Sequence, residues 1–351
     1  MTPSLAEFTP VVFHPVTLTQ RITRLGFVGM GEAMQKKTWP VLHANGGLLD
    51  DIVVCSLEPH SCLSEPLHHY QQVRPDSLLP FDYLAEYGFL SHGTLWIIST
   101  PSEFHVQYAI QLAGLCRVAL EKPLAVTSAQ ARLLLPYADR FEIYSMNHKV
   151  FNASVLAFVN ECRQDLSLLR QVCHIEGTFS EAAGISRGRQ QEDCIADVQW
   201  HLITCGLVAP FKAAATRFEV LVERAWVATH EPDPVGHYAL PTVWTASRLQ
   251  GRLLWDWEEV TFDFRQAKGA PTNEKVIRLF GGSGKLLTEI DLNETGWEAH
   301  ARMLLALMRP VVDMRLTLAD AVAVMELIDV SRSVAYQEPT YVFGTLPGFL
   351  A

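Results

Sequence analysis

Two glycines, at positions 29 and 31, constrain the N-terminal third of this chain more than any other feature. The run Arg24-Leu25-Gly26-Phe27-Val28 predicts a short buried strand, and it leads directly into Gly29-Met30-Gly31-Glu32-Ala33-Met34. This matches G-x-G-x-x-G except that methionine stands at the third glycine position. Glycines here allow a tight turn and a close approach of backbone to a pyrophosphate on the next helix N-terminus. Alone, the pattern also suits an ordinary strand-to-helix turn.

The following segment supplies the context that a dinucleotide loop requires. Residues 32–44 suit a short helix that ends at Asn45-Gly46-Gly47, and Asp51-Ile52-Val53-Val54-Cys55 reads as a second buried strand, which completes a βαβ unit. Glu58 then lies where an acid would bind the ribose hydroxyls of NAD, although it also suits a solvated loop. Ser56 could hold the specificity position instead and admit a 2′-phosphate. The predicted cofactor is NAD or NADP, with Glu58 favouring NAD.

A Glu-Lys-Pro turn is the next candidate for chemistry. Residues 94–100 predict a strong strand, a helix through Leu112 follows, and Val118-Ala119-Leu120 then leads into Glu121-Lys122-Pro123. In an open α/β sheet, ligands bind at the carboxyl ends of the strands. A lysine held beside a proline at such a strand end is therefore a candidate active-site residue.

Composition narrows the class of protein. A length of 351 residues favours two domains, since single cores stop growing at roughly 250–300 residues. The net charge of −10, with no basic block, argues against a nucleic-acid partner. No run reaches the roughly 20 apolar residues of a membrane span, and Met1 to Gln20 lacks the pattern of a secretory signal.

Cysteine and histidine spacings predict no metal site. The seven cysteines form no C-x-x-C pair, which suits reduced thiols in a cytoplasmic protein. His60, His68 and His69 have no accompanying carboxylate pattern and are expected at the surface. We therefore expect a soluble, cytoplasmic protein with a small-molecule partner and no membrane or nucleic-acid partner.

Three motifs in order resemble the Gfo/Idh/MocA family of oxidoreductases: Ser99 to His105 followed by Glu121-Lys122-Pro123-Leu124-Ala125, then Asp197-Val198-Gln199-Trp200-His201, then Thr317-Leu318-Ala319-Asp320-Ala321. The resemblance spans roughly residues 22–335. It implies an α/β fold: an N-terminal Rossmann domain plus a C-terminal α/β domain with a large open, mainly antiparallel sheet that makes homodimers or homotetramers. The expected divisions are an arm at 1–19, the Rossmann domain at 20–145, and a substrate-binding and oligomerisation domain at 146–351.

A fainter similarity connects the chain to the glucose-6-phosphate dehydrogenases. It rests on Ile143 to Lys149, on Ile195 to Pro210 and on the shared Glu-Lys-Pro turn, but Asn147-His148 replaces the Asp-His expected there. It implies a sugar or sugar phosphate as substrate and a cis Lys122–Pro123 bond.

The same residues suggest a reaction. Oxidising a secondary hydroxyl needs a base, and His201, with a reference pKa of about 6.5, is suitable. Asp197 lies four residues earlier in a helical pattern, so both side chains project from one face; a surface ion pair is the alternative. Lys122 would bind the substrate oxygen and stabilise alkoxide charge, acting with His201 as a coupled pair. The predicted function is NAD(P)-dependent oxidation of a hydroxyl on a sugar, cyclitol or sugar phosphate.

The candidate catalytic residues are Lys122, His201, and Asp197, which would orient His201. The candidate binding residues fall into two further sets. Those expected to contact the cofactor are Gly29, Met30, Gly31, Glu32, Ala33, Ser56, Glu58, Ser99, Thr100, Pro101, His105, Glu121 and Lys122. Those expected to contact the substrate are Lys122, Asn147, His148, Lys149, Arg187, Asp197 and His201. Arg187 and Arg189 could clamp a phosphate or could lie in a solvated loop. The alternative functions are a reductase of an imine or other unsaturated bond, and a nucleotide-sensing regulator without catalysis.

Three further patterns have structural interpretations. Residues 280–286 lack the spacing of a phosphate loop and predict a hairpin turn between two strands. Residues 244–264 alternate as sheet, with Trp255 expected in the core or at a subunit interface. Two last helices, at about 296–309 and 317–335, are expected to pack back against the first domain or its hinge.

Overall fold

The structure is a computed structural model of the chain. It describes residues 22–30, 34–39, 41, 51–57, 69–74, 77–138, 140–181, 185–186, 199–212, 215, 217–230, 242–256, 258–268, 273–293, 298–309, 312 and 314–337. The arm predicted at 1–19 lies outside these residues.

The N-terminal half forms a six-stranded parallel sheet. Its strands are β1 (Arg24–Val28), β2 (Asp51–Ser56), β3 (His69–Gln72), β4 (Thr94–Ile98), β5 (Arg117–Glu121) and β6 (Ile143–Met146). They pair in the order β3-β2-β1-β4-β5-β6, which is the order of dinucleotide-binding domains. Strand β4 is buried along its whole length, as expected for a central parallel strand covered on both faces.

Helices cover the first sheet and continue into the second half. They are α1 (Phe81–Glu86), α2 (His105–Leu112), α3 (Ser128–Arg132), α4 (Leu135–Ala138), α5 (Ala153–Gln164), α6 (Trp200–Ile203), α7 (Glu298–Leu307) and α8 (Leu318–Gln337). Single turns of π-helix at Met34–Thr38 and 3-10 helix at His148–Phe151 follow β1 and β6, and α6 continues as a π-helix over Thr204–Lys212.

Polar side chains cap the starts of α5 and α8. The Asn152 side chain accepts bonds from the backbone N–H groups of Ser154 and Val155 at the start of α5. At the start of α8, the Thr317 hydroxyl accepts from the Asp320 N–H and the Asp320 carboxylate accepts from the Thr317 N–H. Reciprocal bonds of this kind satisfy donors that a helix end leaves unpaired.

The second sheet has seven strands. They are β7 (Val172–Glu181), β8 (Ile185–Ser186), β9 (Phe218–His230), β10 (Thr242–Trp255), β11 (Glu258–Lys268), β12 (Lys275–Gly281) and β13 (Leu286–Asp291). Neighbouring strands pair in the order β13-β12-β7-β11-β10-β8, and β9 also pairs with β10. Only β7 and β11 pair in parallel among these strands. The predicted α/β fold with a mainly antiparallel second sheet is confirmed, as is the hairpin at 280–286.

The two faces of this sheet differ in character. On one face the ring of Phe264 is fully buried against Gly177 and Gly206, the latter in the π-helix that continues α6. On the other, Arg252 pairs with Glu223 at 2.6 Å and with Glu259 at 3.4 Å, all three well exposed. Trp255 is buried in the core, which resolves the two alternatives left by the sequence.

A buried arginine joins the two halves of the chain. Arg117 on β5 is fully buried and forms two 2.9 Å bonds with the carboxylate of Glu142. Its Nη1 donates to the carbonyls of Leu307 at 2.6 Å and Arg309 at 2.7 Å. Because those carbonyls end α7, the guanidinium ties the second half of the chain to the first sheet.

The long C-terminal helix also packs on the first half. On α8, the Asp329 carboxylate accepts the Ser128 N–H at 2.6 Å, and Glu326 pairs with Arg132 at 2.8 Å. The predicted return of the last two helices onto the first domain is therefore confirmed.

One surface prediction is wrong. His69 was expected at the surface, but its side chain is only 12% exposed and its Nε2 lies 3.2 Å from Asp51. Its Nδ1 lies 2.8 Å from the Tyr83 hydroxyl. The ring is enclosed because Tyr83 of α1 and Tyr87, just after that helix, pack against it with ring centroids 6.0 and 4.6 Å away. His60 and His68 lie outside the described residues.

No helix within the described ranges is long and apolar enough to cross a membrane.

Of the described cysteines, Cys173 is exposed and the others are buried. Burial raises the pKa to about 12 for Cys55, Cys116, Cys162 and Cys205.

Candidate active site

Most of the candidate site residues lie at one edge of the first sheet. Because its strands are all parallel, the residues that follow β1, β2, β4, β5 and β6 meet at the carboxyl edge. In dinucleotide-binding folds this edge holds the ligand. The candidates brought to it are Gly29, Met30, Ser56, Ser99, Thr100, Pro101, Glu121, Lys122, Asn147 and His148.

The turn after β1 requires glycine at its first position. Gly29 has a φ of +80°, and a Cβ there would lie 2.9 Å from the Ser99 carbonyl oxygen and 3.0 Å from the Thr100 nitrogen. Its N–H donates to the Cys55 carbonyl at 2.8 Å. The loop after β1 is thus pressed against the loop after β4, with no room for a side chain.

The residues beside Gly29 are buried. Met30 is 2% exposed and its carbonyl accepts a 2.8 Å bond from the Gln35 side chain in the following π-turn. Ser56, at the end of β2, is also buried, and its carbonyl accepts from the Tyr70 hydroxyl at 3.1 Å and the Val73 N–H at 3.0 Å. These contacts fix the ends of the two strands that flank the predicted dinucleotide loop.

His105 connects the turn after β4 to the Glu-Lys-Pro turn. Its ring is 2% exposed, with Nε2 2.8 Å from the Thr100 carbonyl and Nδ1 3.0 Å from the Pro123 carbonyl. Burial lowers the pKa of His105 to about 4, outweighing those backbone bonds, which raise it. The ring therefore holds the two turns together; direct contact with a cofactor stays a prediction.

Lys122 begins the turn after β5. The Lys122–Pro123 bond is cis, as the similarity to the glucose-6-phosphate dehydrogenases implies. The Lys122 N–H donates to the Glu121 carboxylate at 3.2 Å, and both residues are half-buried. Strands β5 and β6 pair up to Glu121 opposite Met146, so Lys122 and Asn147 start adjacent turns.

The side chain of Asn147 is buried and lacks a hydrogen-bond partner among the residues that the structure describes. It is 1% exposed, and neither its amide nitrogen nor its amide oxygen has a hydrogen-bond partner in the described part of the chain. The buried hydroxyl of Thr100 is in the same condition. Leaving a buried polar group unpaired costs roughly 1–3 kcal/mol, so both positions suit groups that a ligand would satisfy.

The central contact of the site joins two distant segments. His148 follows β6 and His201 lies on α6, yet their ring centroids are 5.2 Å apart at 70°. His201 is 5% exposed and stacks on Phe179 of β7, 5.5 Å between centroids at 20°. The structure therefore brings the predicted base of the second half to the strand edge of the first.

Lys149 occupies a different position from its neighbours. It is 8% exposed, and its Nζ donates to the Leu292 carbonyl at 3.0 Å. The same nitrogen lies 6.0 Å from the centroid of the Phe179 ring. These contacts direct the ammonium toward the second sheet, and its role toward a substrate stays a prediction.

Several candidate residues lie outside the described part of the chain: Gly31, Glu32, Ala33, Glu58, Arg187, Arg189 and Asp197. Within the described residues, no group of three or more histidines, cysteines or carboxylates is arranged to hold a metal ion.

The structure adds residues that the sequence did not indicate. His300 on α7 is 2% exposed, and its ring centroid lies 5.6 Å from that of His148. Its Nε2 is 2.7 Å from the hydroxyl of Thr38, in the π-turn that follows the dinucleotide loop. Neither residue belongs to a recognisable motif, and Phe179 reads only as an apolar strand residue. These contacts form because α7 packs back on the first half of the chain, so no local sequence pattern indicates them.

Comparisons with known proteins identify the fold. No protein-family model and no curated protein matches the sequence. Among solved structures, GenD2 from gentamicin A biosynthesis, in complex with NAD, is 15% identical with a TM-score of 0.66 over 93% of this chain and 97% of its own. An oxidoreductase domain protein from Kribbella flavida is 13% identical, with a TM-score of 0.62 over 91% and 98% of the two chains.

A regulator shares this architecture as well. A super-repressor mutant of Gal80p from Saccharomyces cerevisiae is 15% identical, with a TM-score of 0.63 over 90% of this chain and 96% of its own. At these identities the similarity establishes the fold alone. The chain therefore has the two-part α/β fold that oxidoreductase-domain proteins share.

Proposed function

We propose that the protein is an NAD(P)-dependent oxidoreductase that oxidises a secondary hydroxyl of a sugar, cyclitol or sugar phosphate. One observation carries the proposal. The ring of His201 meets that of His148 at the carboxyl edge of the parallel sheet, next to the turn that begins with Lys122. A base and a cation thus lie at the edge where this class of fold binds its cofactor and substrate.

The residues present fit a nicotinamide dinucleotide. Gly29, with its positive φ and its close approach to Ser99, provides the tight turn on which a pyrophosphate lies. Beside this turn, the hydroxyl of Thr100, and at the edge strand β6, the amide of Asn147, have no hydrogen-bond partner among the described residues and offer donors and acceptors. Met30, Ser56 and Pro101 complete the proposed contacts, and the choice between NAD and NADP rests with residues near Ser56.

The chain's own groups supply the proton chemistry. When bound, the nicotinamide would accept the hydride that leaves the substrate carbon. His201, through a ring nitrogen, takes the proton of the same hydroxyl group, so that the alcohol becomes a carbonyl. The Lys122 ammonium stabilises the negative charge that develops on the oxygen as the proton leaves. Phe179, stacked on His201, limits the rotation of the imidazole and keeps water from one of its faces.

The substrate class follows from the character of this edge. His148 and Asn147 are short polar side chains that can bind hydroxyl groups, and Lys122 suits a hydroxyl or a phosphate. No single described residue selects between free and phosphorylated sugars. Arg187, proposed as a phosphate ligand, lies outside the described residues.

A nucleotide-sensing regulator is the second candidate, because the fold of Gal80p matches this chain as well as that of the oxidoreductases does. A sensor needs the dinucleotide loop but has no use for a base beside a lysine. Because this chain has both Lys122 and His201, we favour an enzyme over a sensor. A reductase of an imine would use the same groups in the opposite direction.

The two candidates are separated by binding and turnover measured together. NAD and NADP are titrated against the protein by isothermal calorimetry, and cofactor reduction is then followed with free and phosphorylated hexoses and cyclitols. We expect micromolar binding and turnover with at least one substrate, and near-complete loss of turnover with unchanged binding in Lys122→Ala.

Each alternative has its own outcome in that screen. Tight cofactor binding without turnover on any hydroxyl substrate favours the sensor. Oxidation of the reduced cofactor by imines alone favours the reductase. Absence of any cofactor binding contradicts all three readings of the site.

A further inference from the structure

Three histidine rings from three separate segments form a continuous contact in the site. The His201 and His148 centroids are 5.2 Å apart, and the His148 and His300 centroids are 5.6 Å apart. His201 and His300 are both at most 5% exposed. His148, from the turn after β6, thus lies between a ring of α6 and a ring of α7.

The outer ring of this group has its own anchor. The Nε2 of His300 lies 2.7 Å from the hydroxyl of Thr38, and both side chains are buried. Thr38 ends the π-turn Met34–Thr38, which follows the loop that begins at Gly29. His300 therefore cannot turn away from His148 without breaking a buried hydrogen bond, which is costly.

Several charged side chains near the rings are engaged in contacts of their own, and Glu121 and Lys122 lie in the adjacent turn. Lys149, beside His148, bonds to a backbone carbonyl. On α7, Arg302 donates to the Phe151 carbonyl at 2.7 Å and lies 3.6 Å from Glu298. Below Phe179, Lys275 pairs with Glu181 at 2.7 Å. Cys205, one turn beyond His201, has a pKa raised by burial to about 12 and stays a neutral thiol.

Rings in contact at this spacing do not titrate independently. A proton on one disfavours a proton on the next, so the apparent pKa values belong to the group of rings. Resting on the proposed function, we propose that His300 is a positioning residue: anchored by Thr38, it holds His148 against the base His201 and makes the three imidazoles one titrating unit. The proton that His201 takes from the substrate is then shared among the ring nitrogens of His201, His148 and His300.

The test uses ring NMR signals of the full chain labelled in histidine, without cofactor. Thr38→Val removes only the anchoring hydroxyl, and His300→Gln removes the third ring. We expect His300→Gln to move the titration midpoints of His148 and His201 by at least about 0.3 pH unit to higher pH, because a competing positive charge is gone. Thr38→Val should displace the ring signals and the midpoint of His148.

His174→Gln is the matched control. His174 also lies 2.7 Å from a threonine hydroxyl, that of Thr261, but on the second sheet with its side chain 35% exposed. Its replacement should leave the His148 and His201 titrations in place. If His300→Gln does not fold, Thr38→Val decides the question alone. Unchanged titrations of both rings in the folded variants overturn the inference.

Kinetics add a measurement that separates the inference from the proposed function. With a substrate found by the turnover screen, His300→Gln should lower kcat about 3- to 10-fold, less than the roughly 10²- to 10⁴-fold contributed by a group that transfers the proton itself. KM should stay within about twofold, since His300 is not proposed to touch substrate. If His300→Gln has a normal kcat and leaves the titrations of His148 and His201 unchanged, the inference about His300 is wrong and the proposed function is unaffected. If the three rings titrate together but the protein turns over no substrate, the proposed function is wrong and the inference about His300 is unaffected.

Discussion

The ring of His201 lies edge-on against the ring of His148, with 5.2 Å between their centroids. His148 belongs to the turn that ends the first sheet, and His201 to a helix packed on the second. Their contact is where the two halves of the chain share a site. It gives the proposed base a fixed position relative to the neighbouring Lys122 turn.

Lys122→Ala should lower kcat/KM by about 10²- to 10³-fold, the usual effect of removing a group that stabilises an oxyanion. Cofactor affinity should change less than about threefold, because Gly29 and the loop after β4 remain. Steady-state kinetics and calorimetric titration measure the two effects. Lys285→Ala, in the exposed hairpin turn, is the control and should change neither. Near-normal turnover in Lys122→Ala removes the lysine from its proposed role.

Gly29→Ala should weaken cofactor binding and destabilise the protein. The new Cβ would lie 2.9 Å from the Ser99 carbonyl oxygen at a φ of +80°, so the dinucleotide turn must shift. Gly284→Ala is the matched control, since its φ is +74° but nothing lies within 4 Å of its Cβ. Left-handed backbone strain should cost each variant about 1–2 kcal/mol of stability, and Gly29→Ala should lose more than Gly284→Ala because its Cβ also meets backbone atoms; chemical denaturation measures both. Only Gly29→Ala should lose cofactor affinity, and equal affinities would contradict the proposed pyrophosphate site.

His105 should make stability fall as the solution becomes acidic. Its pKa is about 4 in the folded protein against 6.5 normally, so below pH 6.5 the unfolded chain binds a proton that the folded chain does not. Stability is full above pH 6.5 and is lost as pH falls toward 4, by about 2 kcal/mol between pH 7 and 5.

Urea unfolding of wild type and His105→Gln at these two pH values isolates this contribution, because the carboxylates act equally in both proteins. We expect the wild type to lose about 2 kcal/mol more than the variant. An equal loss would mean that His105 is protonated in the folded state, bonded to both carbonyls at once.

Arg117 should be one of the most costly polar residues to replace. Arg117→Met leaves the Glu142 carboxylate and two carbonyls at the end of α7 without their donor, and should cost about 3–5 kcal/mol. Arg252→Met, in an exposed pair on the second sheet, should cost under about 1 kcal/mol. Adding Glu142→Gln to Arg117→Met should recover part of the loss. Strictly additive costs would show that the two side chains do not interact.

The sequence indicated local elements better than contacts between them. Apolar runs before Gly29 and Lys122 predicted strands that the structure contains, because buried parallel strands leave a continuous apolar pattern. The order of those strands and the approach of α7 depend on packing between distant segments, which no local pattern encodes. His69, predicted at the surface, is enclosed for that reason, since Tyr83 of α1 and Tyr87 pack against its ring.

The candidate site divides in the same way. Lys122, Asn147 and His148 could be placed at strand ends from sequence, and His201 was found through a helix pattern and a motif. His300 and Thr38 carry no motif, and they meet only because α7 returns to the first sheet. Such residues emerge from tertiary structure alone.

The pH–rate profile of His201→Asn tests the central proposal most directly. The acid limb of kcat/KM in the wild type should reflect protonation of the imidazole group that contains His201. We expect His201→Asn to lower kcat/KM by about 10²- to 10⁴-fold and to abolish that limb, while His174→Asn keeps the wild-type profile. A wild-type profile in His201→Asn, with kcat/KM within about threefold of normal, would contradict the assignment of His201 as the base.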